Sequence, residues 1–263
     1  MRKLRSKIYL VIIMVFLYLP IIYLIAYSFN DGKTSVWKGF TWKWYEALFH
    51  DAQIMGSLKN TLIVAILASV IATILGTAAA IGIYNFKGGV RSAIQNVSNI
   101  PIINPEIVTG VSLMLLFTFA GVMMGFEMGF WTVLLAHIGF CTPYVILNVT
   151  PRIRQMDPSL YEAAQDLGCS PMQAFFKVVL HELLPGILSG FLISFTYSLD
   201  DFVITYFTRG SRFQTLPIQI YTMTHQRINP KANALSALLF VVVIVILLIS
   251  NFATLRKRKE EAR

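Results

Sequence analysis

Three carboxylates, Glu106, Asp200 and Asp201, lie inside stretches of the sequence that are otherwise almost entirely apolar. A charged side chain at the centre of a bilayer costs roughly 2.5–3.5 kcal/mol, so such a group is expected to face protein, water or a ligand. No Lys or Arg lies in the interior of these stretches to pair with the acids. Unpaired acids in such a setting predict a binding site for a cationic substrate.

Glu106 follows two prolines, Pro101 and Pro105, which are expected to interrupt its apolar stretch. The run Asn104-Pro105-Glu106 has the pattern of a cap, a first turn and an acid, and it predicts a helix that restarts there. A rise of ~1.5 Å per residue from residue 94 places Glu106 about 18 Å into the membrane, near its midplane. Broken helices at this depth commonly frame transport sites. The alternative is that Glu106 only complements the helix dipole.

Asp200 and Asp201 are adjacent, so on a regular helix their side chains diverge by about 100° and cannot both face one pore. We expect one of them to line the transport pathway while the other caps a helix or links two helices. The sequence leaves open which aspartate has which role.

Trp44 lies in a more polar segment, residues 30–60, that is rich in aromatic side chains. One hypothesis is that its ring offers a cation–π contact to an amine and so contributes to substrate binding. The alternative is that Trp44, like Trp37 and Trp42, belongs to the aromatic belt found at membrane interfaces.

The elements that must position these residues are transmembrane helices. Hydrophobic residues make up 56% of the chain, charged residues 13%, and the mean hydropathy is +0.65. About 20 helical residues cross the hydrocarbon core of a bilayer. The sequence therefore predicts an all-α membrane protein with a single transmembrane domain, residues 1–263. Its six predicted spans are 8–29, 61–84, 94–120, 131–150, 185–206 and 232–254.

The basic residues predict the orientation of these spans. The side that holds both termini and the 85–93 and 151–184 loops carries 14 Lys and Arg, against 8 on the opposite side. Positive charge favours the cytoplasm, so the termini and the 151–184 loop are expected to be cytoplasmic and the 30–60 loop outside. The first span is expected to be retained, because its apolar part is much longer than that of a signal peptide. The net charge of +9 is thus a membrane-orientation signal, with no nucleic-acid partner expected.

The 151–184 loop carries the signals of two short helices joined by a turn. Asp157 is expected to cap the first helix, with Pro158 at its first position, and Gly168 to end it in a left-handed conformation. Ser170 and Gln173 are spaced as a capping box for a second helix. The apolar stripe of the first helix comprises Leu160, Ala163, Ala164 and Leu167. The expected buried face of the second comprises Met172, Phe175, Phe176, Val179, Leu180 and Leu183. From these signals alone, a hairpin packed on its own bundle is an equal alternative to a docking site.

The pattern Glu162-Ala163-Ala164-x3-Gly168-x9-Val178-x-Leu180 resembles the EAA loop of binding-protein-dependent ABC-importer permeases, whose motif reads E-A-A-x3-G-x9-I-x-L-P. His181 stands where that motif has proline, and Pro185 follows one turn later, where the helix break is then expected. In the family this loop docks into a groove of the ATPase subunit. The resemblance implies that role here for Tyr161, Glu162, Ala163, Ala164 and Gly168.

Two further segments resemble spermidine/putrescine permeases: residues 194–203, Ser-Phe-Thr-Tyr-Ser-Leu-Asp-Asp-Phe-Val, and residues 39–45 around Trp44. The resemblance implies polyamine import across the bacterial cytoplasmic membrane. It also implies a homologous second permease subunit, two copies of an ATPase and an external polyamine-binding protein as partners, with membrane lipid around the spans.

Several other functions are disfavoured. The chain has no G-x-x-x-x-G-K-[ST] phosphate loop, so ATP is expected to be used by a separate subunit, and this chain is expected to bind no cofactor of its own. No catalytic constellation is recognisable, and the histidines and two cysteines lack metal-ligand spacing. Uptake of iron or thiamine, and an autonomous secondary cation transporter or channel, stay open as alternatives. An anion permease would be expected to carry basic residues in its spans.

Overall fold

The computed structural model describes residues 2–32, 36–226 and 230–261. These residues are nearly all helical, and within the described ranges the extended pairing is limited to an isolated bridge between Asn30 and Phe40. The helices are α1 Arg2–Ser28, α2 Lys43–Phe49, α3 Ala52–Asn85, α4 Gly88–Ile103, α5 Glu106–Met124, α6 Phe130–Gln155, α7 Ser159–Asp166, α8 Pro171–Ala174, α9 Leu180–Asp200, α10 Val203–Thr208, α11 Leu216–Gln226 and α12 Pro230–Glu261.

Five helical segments are long and apolar enough to cross a membrane: Tyr9–Ser28, Ala52–Asn85, Glu106–Met124, Phe130–Gln155 and Pro171–Asp200. A shorter apolar segment, Pro230–Val245, lies within α12. An all-α protein with membrane-spanning helices is therefore confirmed. The number of six spans, the side of the termini and the single domain stay predictions.

The predicted third span, 94–120, is two helices. α4 ends at Ile103 and α5 begins at Glu106, so the predicted break at Pro105 is confirmed. Asn104 adopts an extended backbone (φ −70°, ψ 135°), as expected for a residue before proline. The expectation that Pro101 also interrupts the helix was wrong. The Asn104 amide donates to the Ile100 carbonyl at 3.0 Å, which closes the last turn of α4 around Pro101.

The predicted fifth span, 185–206, begins inside a longer helical segment, whereas the third span was divided into two helices. Helix α8 continues through a π-helical segment, Phe175–Val179, directly into α9. The second helix of the 151–184 loop is thus the first part of a longer helical segment, and the break expected near Pro185 is absent from this described region. Pro185 lies inside α9, whose Leu180–Asp200 helix continues past it. The span does break further on, at Asp201 and Phe202, between α9 and α10.

The chain forms two compact units. One consists of Met1–Leu58 with Leu216–Arg263. Its apolar cluster joins α2, the start of α3, α11 and α12, and its buried members are Leu48, Ile54, Leu216, Ala234 and Leu235. The Lys231 ammonium lies 3.2 Å from the Asp51 carboxylate, so an ion pair links α12 to the start of α3 in this unit.

The other unit is Lys59–Thr215, and it contains the three carboxylates. Close packing of α6 against α9 depends on small residues: a Cβ at Gly190 would lie 3.1 Å from the Val145 Cα, and one at Gly186 3.0 Å from the Asn148 carbonyl oxygen. Glycine thus lets the two backbones approach, as is common between membrane helices. The buried core beside this contact comprises Ala80, Ile83, Val145, Ile146, Val149, Ile153 and Leu183.

Candidate functional site

The break between α9 and α10 separates the two aspartates. Asp200 is the last residue of α9 and is exposed, whereas Asp201 follows it with an extended backbone (φ −60°, ψ 124°) and a side chain that is 6% exposed. Because the helix ends between them, the two acids do not share a helical surface. The sequence predicted two acids that are neighbours on one regular helix, with side chains about 100° apart. That geometry was wrong, because α9 ends between them.

Asp201 caps the start of α10. Its Oδ2 accepts hydrogen bonds from the backbone N–H of Thr205 at 2.8 Å and from the Thr205 hydroxyl at 2.7 Å. Its Oδ1 accepts from the Ile204 N–H at 3.3 Å. The two N–H groups, of Ile204 and Thr205, are ones that a helix start leaves without a partner inside the helix. The role of cap, which the sequence left open between the two aspartates, belongs to Asp201.

A cavity of about 250 Å³ lies beside this break, within the unit Lys59–Thr215. Glu106, Asp200 and Asp201 all line it, so the structure brings the three predicted carboxylates together. The remaining lining residues are Pro101, Asn104, Thr109, Phe140, Tyr144, Tyr197, Phe202, Val203 and Ile204. No Lys or Arg occurs among these described lining residues. The cavity wall therefore combines acids with aromatic rings, a surface that suits a cation with an apolar chain.

Glu106 is the first residue of α5 and is exposed. The side chain of Asn104 donates to the Thr109 hydroxyl at 2.9 Å, which ties the preceding bend to the first turn of α5. An acid in the first turn is also favourable to the helix dipole, so that alternative agrees with the geometry as well. Exposure at the cavity wall leaves the Glu106 carboxylate accessible to a ligand.

Tyr144 of α6 and Tyr197 of α9 were not singled out from the sequence. Their ring centroids are 4.7 Å apart, and both rings line the cavity. The chain contains 11 tyrosines, and only the packing of α6 on α9 distinguishes these two from the others. The same applies to His137 of α6, whose Nε2 lies 3.4 Å from Asp201 Oδ2. Its partner comes from a distant part of the chain, which the search for metal-ligand spacing could not find.

Trp44 belongs to the other unit, Met1–Leu58 with Leu216–Arg263. Its indole N–H donates to the Asn30 carbonyl at 2.8 Å, and the Lys43 ammonium lies 4.7 Å from the ring centroid. Lys43 also forms an ion pair with Asp31. The ring thus already has a cation at one face, supplied by its own neighbour. Its predicted contact with an amine substrate stays a prediction.

The start of α7 agrees with the predicted cap, shifted by one residue. Helix α7 begins at Ser159, and Asp157 Oδ1 accepts from the Ser159 backbone N–H at 2.9 Å. This hydrogen bond to the charged form lowers the pKa of Asp157 below its ordinary value. Gly168 has φ +88°, the left-handed conformation expected at the helix end.

The predicted capping box is also present at the next helix. The Gln173 N–H donates to the Ser170 hydroxyl at 3.3 Å, and the Ser170 N–H donates to the Gln173 side-chain oxygen at 3.1 Å. The two helix ends therefore hold α7 and α8 in a defined turn around Gly168. Helix α8 continues through the π-helical segment into α9, so this turn is joined directly to a helix that lines the cavity.

The apolar faces of this segment are less buried than expected. Leu167 is 87% exposed and Met172 is 67% exposed, and Phe176 is exposed as well. Only Ala164, Ala174 and Leu183 of the region are buried. The expectation that Met172 and Phe176 lie in a buried face was wrong for this chain by itself, because no other described element of the chain covers these two side chains. Glu162 and Ala163 are exposed and Tyr161 is half-buried.

Comparison with known proteins gives one family and consistent relatives. The family described as "Binding-protein-dependent transport system inner membrane component" matches residues 72–258. The spermidine/putrescine transport system permease protein PotC of Haemophilus influenzae is 35% identical over 247 residues, covering 94% of this chain and 95% of that protein. The putrescine transport system permease protein PotI of Escherichia coli K12 is 37% identical over 254 residues, covering 94% and 90%.

A solved structure is similar over nearly the whole chain. The crystal structure of a bacterial ABC transporter involved in the import of the acidic polysaccharide alginate gives a TM-score of 0.76 and covers 95% of each chain. The sequence identity in this comparison is 15%, so the similarity concerns the fold alone.

Proposed function

Since this chain belongs to the family of binding-protein-dependent transport system inner membrane components, we propose that it is a permease subunit of an ATP-driven polyamine importer. The resemblance predicted from the sequence is thereby confirmed, and the chain is a multi-pass protein of the inner membrane. Its relatives are named as spermidine/putrescine and putrescine permeases, in agreement with the polyamine class. The observation that carries the proposal is the cavity at the α9–α10 break, where three carboxylates meet.

The chemistry of that cavity fits a polyamine. A protonated amine is a compact cation that seeks carboxylate oxygens, and the methylenes between amines seek apolar surface. Glu106 and Asp200 are exposed at the cavity wall and offer the carboxylates, and Tyr144 and Tyr197 offer aromatic surface. Asp201 lines the same wall, but its carboxylate already accepts hydrogen bonds from Thr205. A direct contact of Asp201 with the substrate therefore stays a prediction.

The membrane arrangement of the proposal has six spans with both termini in the cytoplasm. Five long apolar helices and the shorter apolar segment of α12 support that number. The excess of Lys and Arg at the termini and in the 151–184 loop supports the orientation. In this arrangement α7 and α8 lie on the cytoplasmic side, where an ATPase can reach them.

The proposed partners are an ATPase that docks on α7, a homologous permease subunit and an external polyamine-binding protein. Exposed apolar side chains in the 151–184 loop, Leu167, Met172 and Phe176, suit a partner surface. Tyr161, Glu162, Ala163, Ala164 and Gly168 are the proposed docking residues. We expect ATP to be bound by the partner, with no cofactor held by this chain. The ATPase can move the permease only if its nucleotide states bind the two conformations differently.

The test is uptake of labelled spermidine and putrescine in cells that lack this chain. The cells are complemented with the native chain, with Glu162→Lys, or with Glu182→Lys, which reverses another exposed acid in the first turn of α9. We expect the native chain to restore ATP-dependent uptake and Glu162→Lys to lose it while still reaching the membrane, with a much smaller effect of Glu182→Lys.

The other outcomes separate the alternatives. Normal polyamine uptake without the chain would overturn the substrate assignment and direct the assay to iron and thiamine. Uptake that persists when the ATPase is absent would instead indicate an autonomous carrier. Equal loss of uptake in Glu162→Lys and Glu182→Lys would show that Glu162 of α7 is no more important for coupling than Glu182.

A further inference from the structure

A buried histidine links three elements at the site. His137 lies in α6 and its side chain is 1% exposed. Its Nδ1 lies 2.7 Å from the Ser198 hydroxyl in the last turn of α9, and its Nε2 lies 2.9 Å from the Thr205 hydroxyl in α10. The same Nε2 is 3.4 Å from Asp201 Oδ2. One imidazole therefore contacts both sides of the α9–α10 break and the acid between them.

The hydrogen-bond pattern assigns a tautomer to this ring. The Thr205 hydroxyl donates its proton to Asp201, so toward His137 it can only accept, and His137 Nε2 must carry a hydrogen. In the neutral ring Nδ1 is then an acceptor, and the Ser198 hydroxyl donates to it. Every polar atom of the ring is satisfied in this arrangement, and the network is closed around the Asp201 carboxylate.

This network has a consequence for the two aspartates. A buried carboxylate without enough donors is costly, so it tends to move to water or to another cation. Thr205 holds Asp201 through its N–H and its hydroxyl, and His137 donates to that same hydroxyl while its Nε2 lies 3.4 Å from Asp201 Oδ2. With Asp201 held there, α9 ends at Asp200, and Asp200 is left as the exposed carboxylate at the cavity wall.

We propose that His137 is a positioning residue for polyamine binding: by fixing Asp201 and the α9–α10 break, it places the Asp200 carboxylate in the cavity beside Glu106. His137 does not contact the substrate in this role. The proposal rests on the proposed function of the chain as a polyamine permease. Asp201 then has a structural role at the break, and the adjacent Asp200 contacts the ligand.

The experiment measures KM and Vmax for spermidine and putrescine uptake by the complete transporter in proteoliposomes. The variants are His137→Ala, His137→Gln and the matched control Cys141→Ala. Cys141 is buried one turn further along α6 and contacts Ser194 of α9, and within the described residues it forms no hydrogen bond with Asp201 or Thr205.

We expect His137→Ala to raise KM about tenfold, since it removes the hydrogen bond to Thr205 and the polar contact with the Asp201 carboxylate, while Vmax changes less than about threefold. His137→Gln keeps an N–H donor near the Nε2 position and is expected to recover most of the native KM. Cys141→Ala is expected to keep a near-native KM. A merely structural role would instead lower Vmax and the amount of assembled transporter, leave KM unchanged, and show no rescue by glutamine.

A second variant separates positioning from direct binding by Asp201. In the double variant His137→Ala/Asp201→Asn, the amide oxygen still accepts both bonds from Thr205, and only the longer 3.3 Å bond from the Ile204 N–H is lost. A neutral amide no longer needs the polar imidazole beside it. We expect its KM to fall back toward the native value. A KM that stays as high as in His137→Ala, or rises further, would overturn the proposal and assign Asp201 to the substrate. Native polyamine uptake with an unchanged KM in His137→Ala would overturn the positioning role alone, whereas absence of polyamine uptake by the native chain would overturn the proposed function itself.

Discussion

Asp200 and Asp201 are adjacent in the chain, but their carboxylates lie in different surroundings: Asp201 accepts hydrogen bonds from Thr205 within α10, whereas Asp200 is exposed at the cavity wall. The end of α9 between them produces this difference. A regular helix through both residues would instead have turned their side chains about 100° apart around one continuous axis. Their neutralisation is therefore expected to have unequal effects on transport.

We predict that Asp200→Asn raises the KM for polyamine uptake about tenfold or more, because it removes a carboxylate available to an ammonium group. Asp201→Asn is the comparison variant, since its amide oxygen can still accept both bonds from Thr205 and only the longer bond from the Ile204 N–H is lost. Initial uptake rates over a range of spermidine concentrations measure both. A larger rise in KM for Asp201→Asn than for Asp200→Asn would contradict the assignment.

Glu106→Gln distinguishes ligand binding from support of the α5 dipole. If Glu106 binds the substrate, KM rises strongly while thermal stability changes by about 1 kcal/mol or less, the usual size of a dipole contribution. The control is Glu127→Gln, an exposed acid in the turn between α5 and α6. A lower unfolding temperature of Glu106→Gln with an unchanged KM would leave only the dipole role.

Gly168→Ala is expected to weaken coupling to the ATPase. Gly168 has φ +88°, and a left-handed backbone costs a residue with a Cβ roughly 1–2 kcal/mol. We expect the turn between α7 and α8 to distort in order to relieve this strain. Gly89→Ala serves as control, because its site is open and no positive φ is required there. We predict lower ATP-driven uptake for Gly168→Ala at equal membrane content, and similar losses in both variants would refute this reason.

Gly190→Val is expected to push α9 away from α6. A Cβ at this position lies 3.1 Å from the Val145 Cα, and a backbone atom cannot yield as a side chain can. Overpacking of this kind costs about 1–3 kcal/mol, so the unfolding temperature in detergent should fall. At Gly139 an added Cβ meets nothing within 4 Å, and Gly139→Val is the control. Equal unfolding temperatures of the two variants would argue against close α6–α9 packing.

The Asp51–Lys231 ion pair predicts a pH dependence of stability. Burial raises the pKa of Asp51, but the hydrogen bond from Lys231 and those from the Ile54 and Gln53 amides outweigh it, and the net pKa lies below the ordinary value. Because the folded pKa is depressed, the stabilisation is fully present above the unfolded pKa of about 3.9 and is lost as pH falls through the lower folded pKa.

The measurement is thermal unfolding of the native chain and of Asp51→Asn at a series of pH values. The native chain is expected to be more stable near neutral pH, and the difference should disappear in acid. The difference should be small, because both side chains are about one-third exposed, and it should decrease with added salt. A difference that persists below the folded pKa would show that it does not depend on the Asp51 charge.

Features that depend on neighbouring residues could be predicted from the sequence. The apolar runs predicted helices, because a segment of about 20 apolar residues in lipid can form all of its backbone hydrogen bonds internally only as a helix. Pro105 predicted the break before Glu106, Gly168 the end of α7, and Ser170 with Gln173 the cap of the next helix. Each of these is a local steric or hydrogen-bonding constraint within a few residues.

Features that depend on distant residues required the tertiary structure. The sequence placed three acids in apolar segments, but the packing of α6 on α9, with Gly190 against Val145, decides what surrounds them. That packing brings His137 to Asp201 and pairs the ring of Tyr144 with that of Tyr197. Ile204 and Thr205, which donate to Asp201, are close to it in sequence, but His137 of α6 reaches this carboxylate only because the helices pack together. No periodicity or spacing within one helix contains that information, because it is set by which surfaces meet.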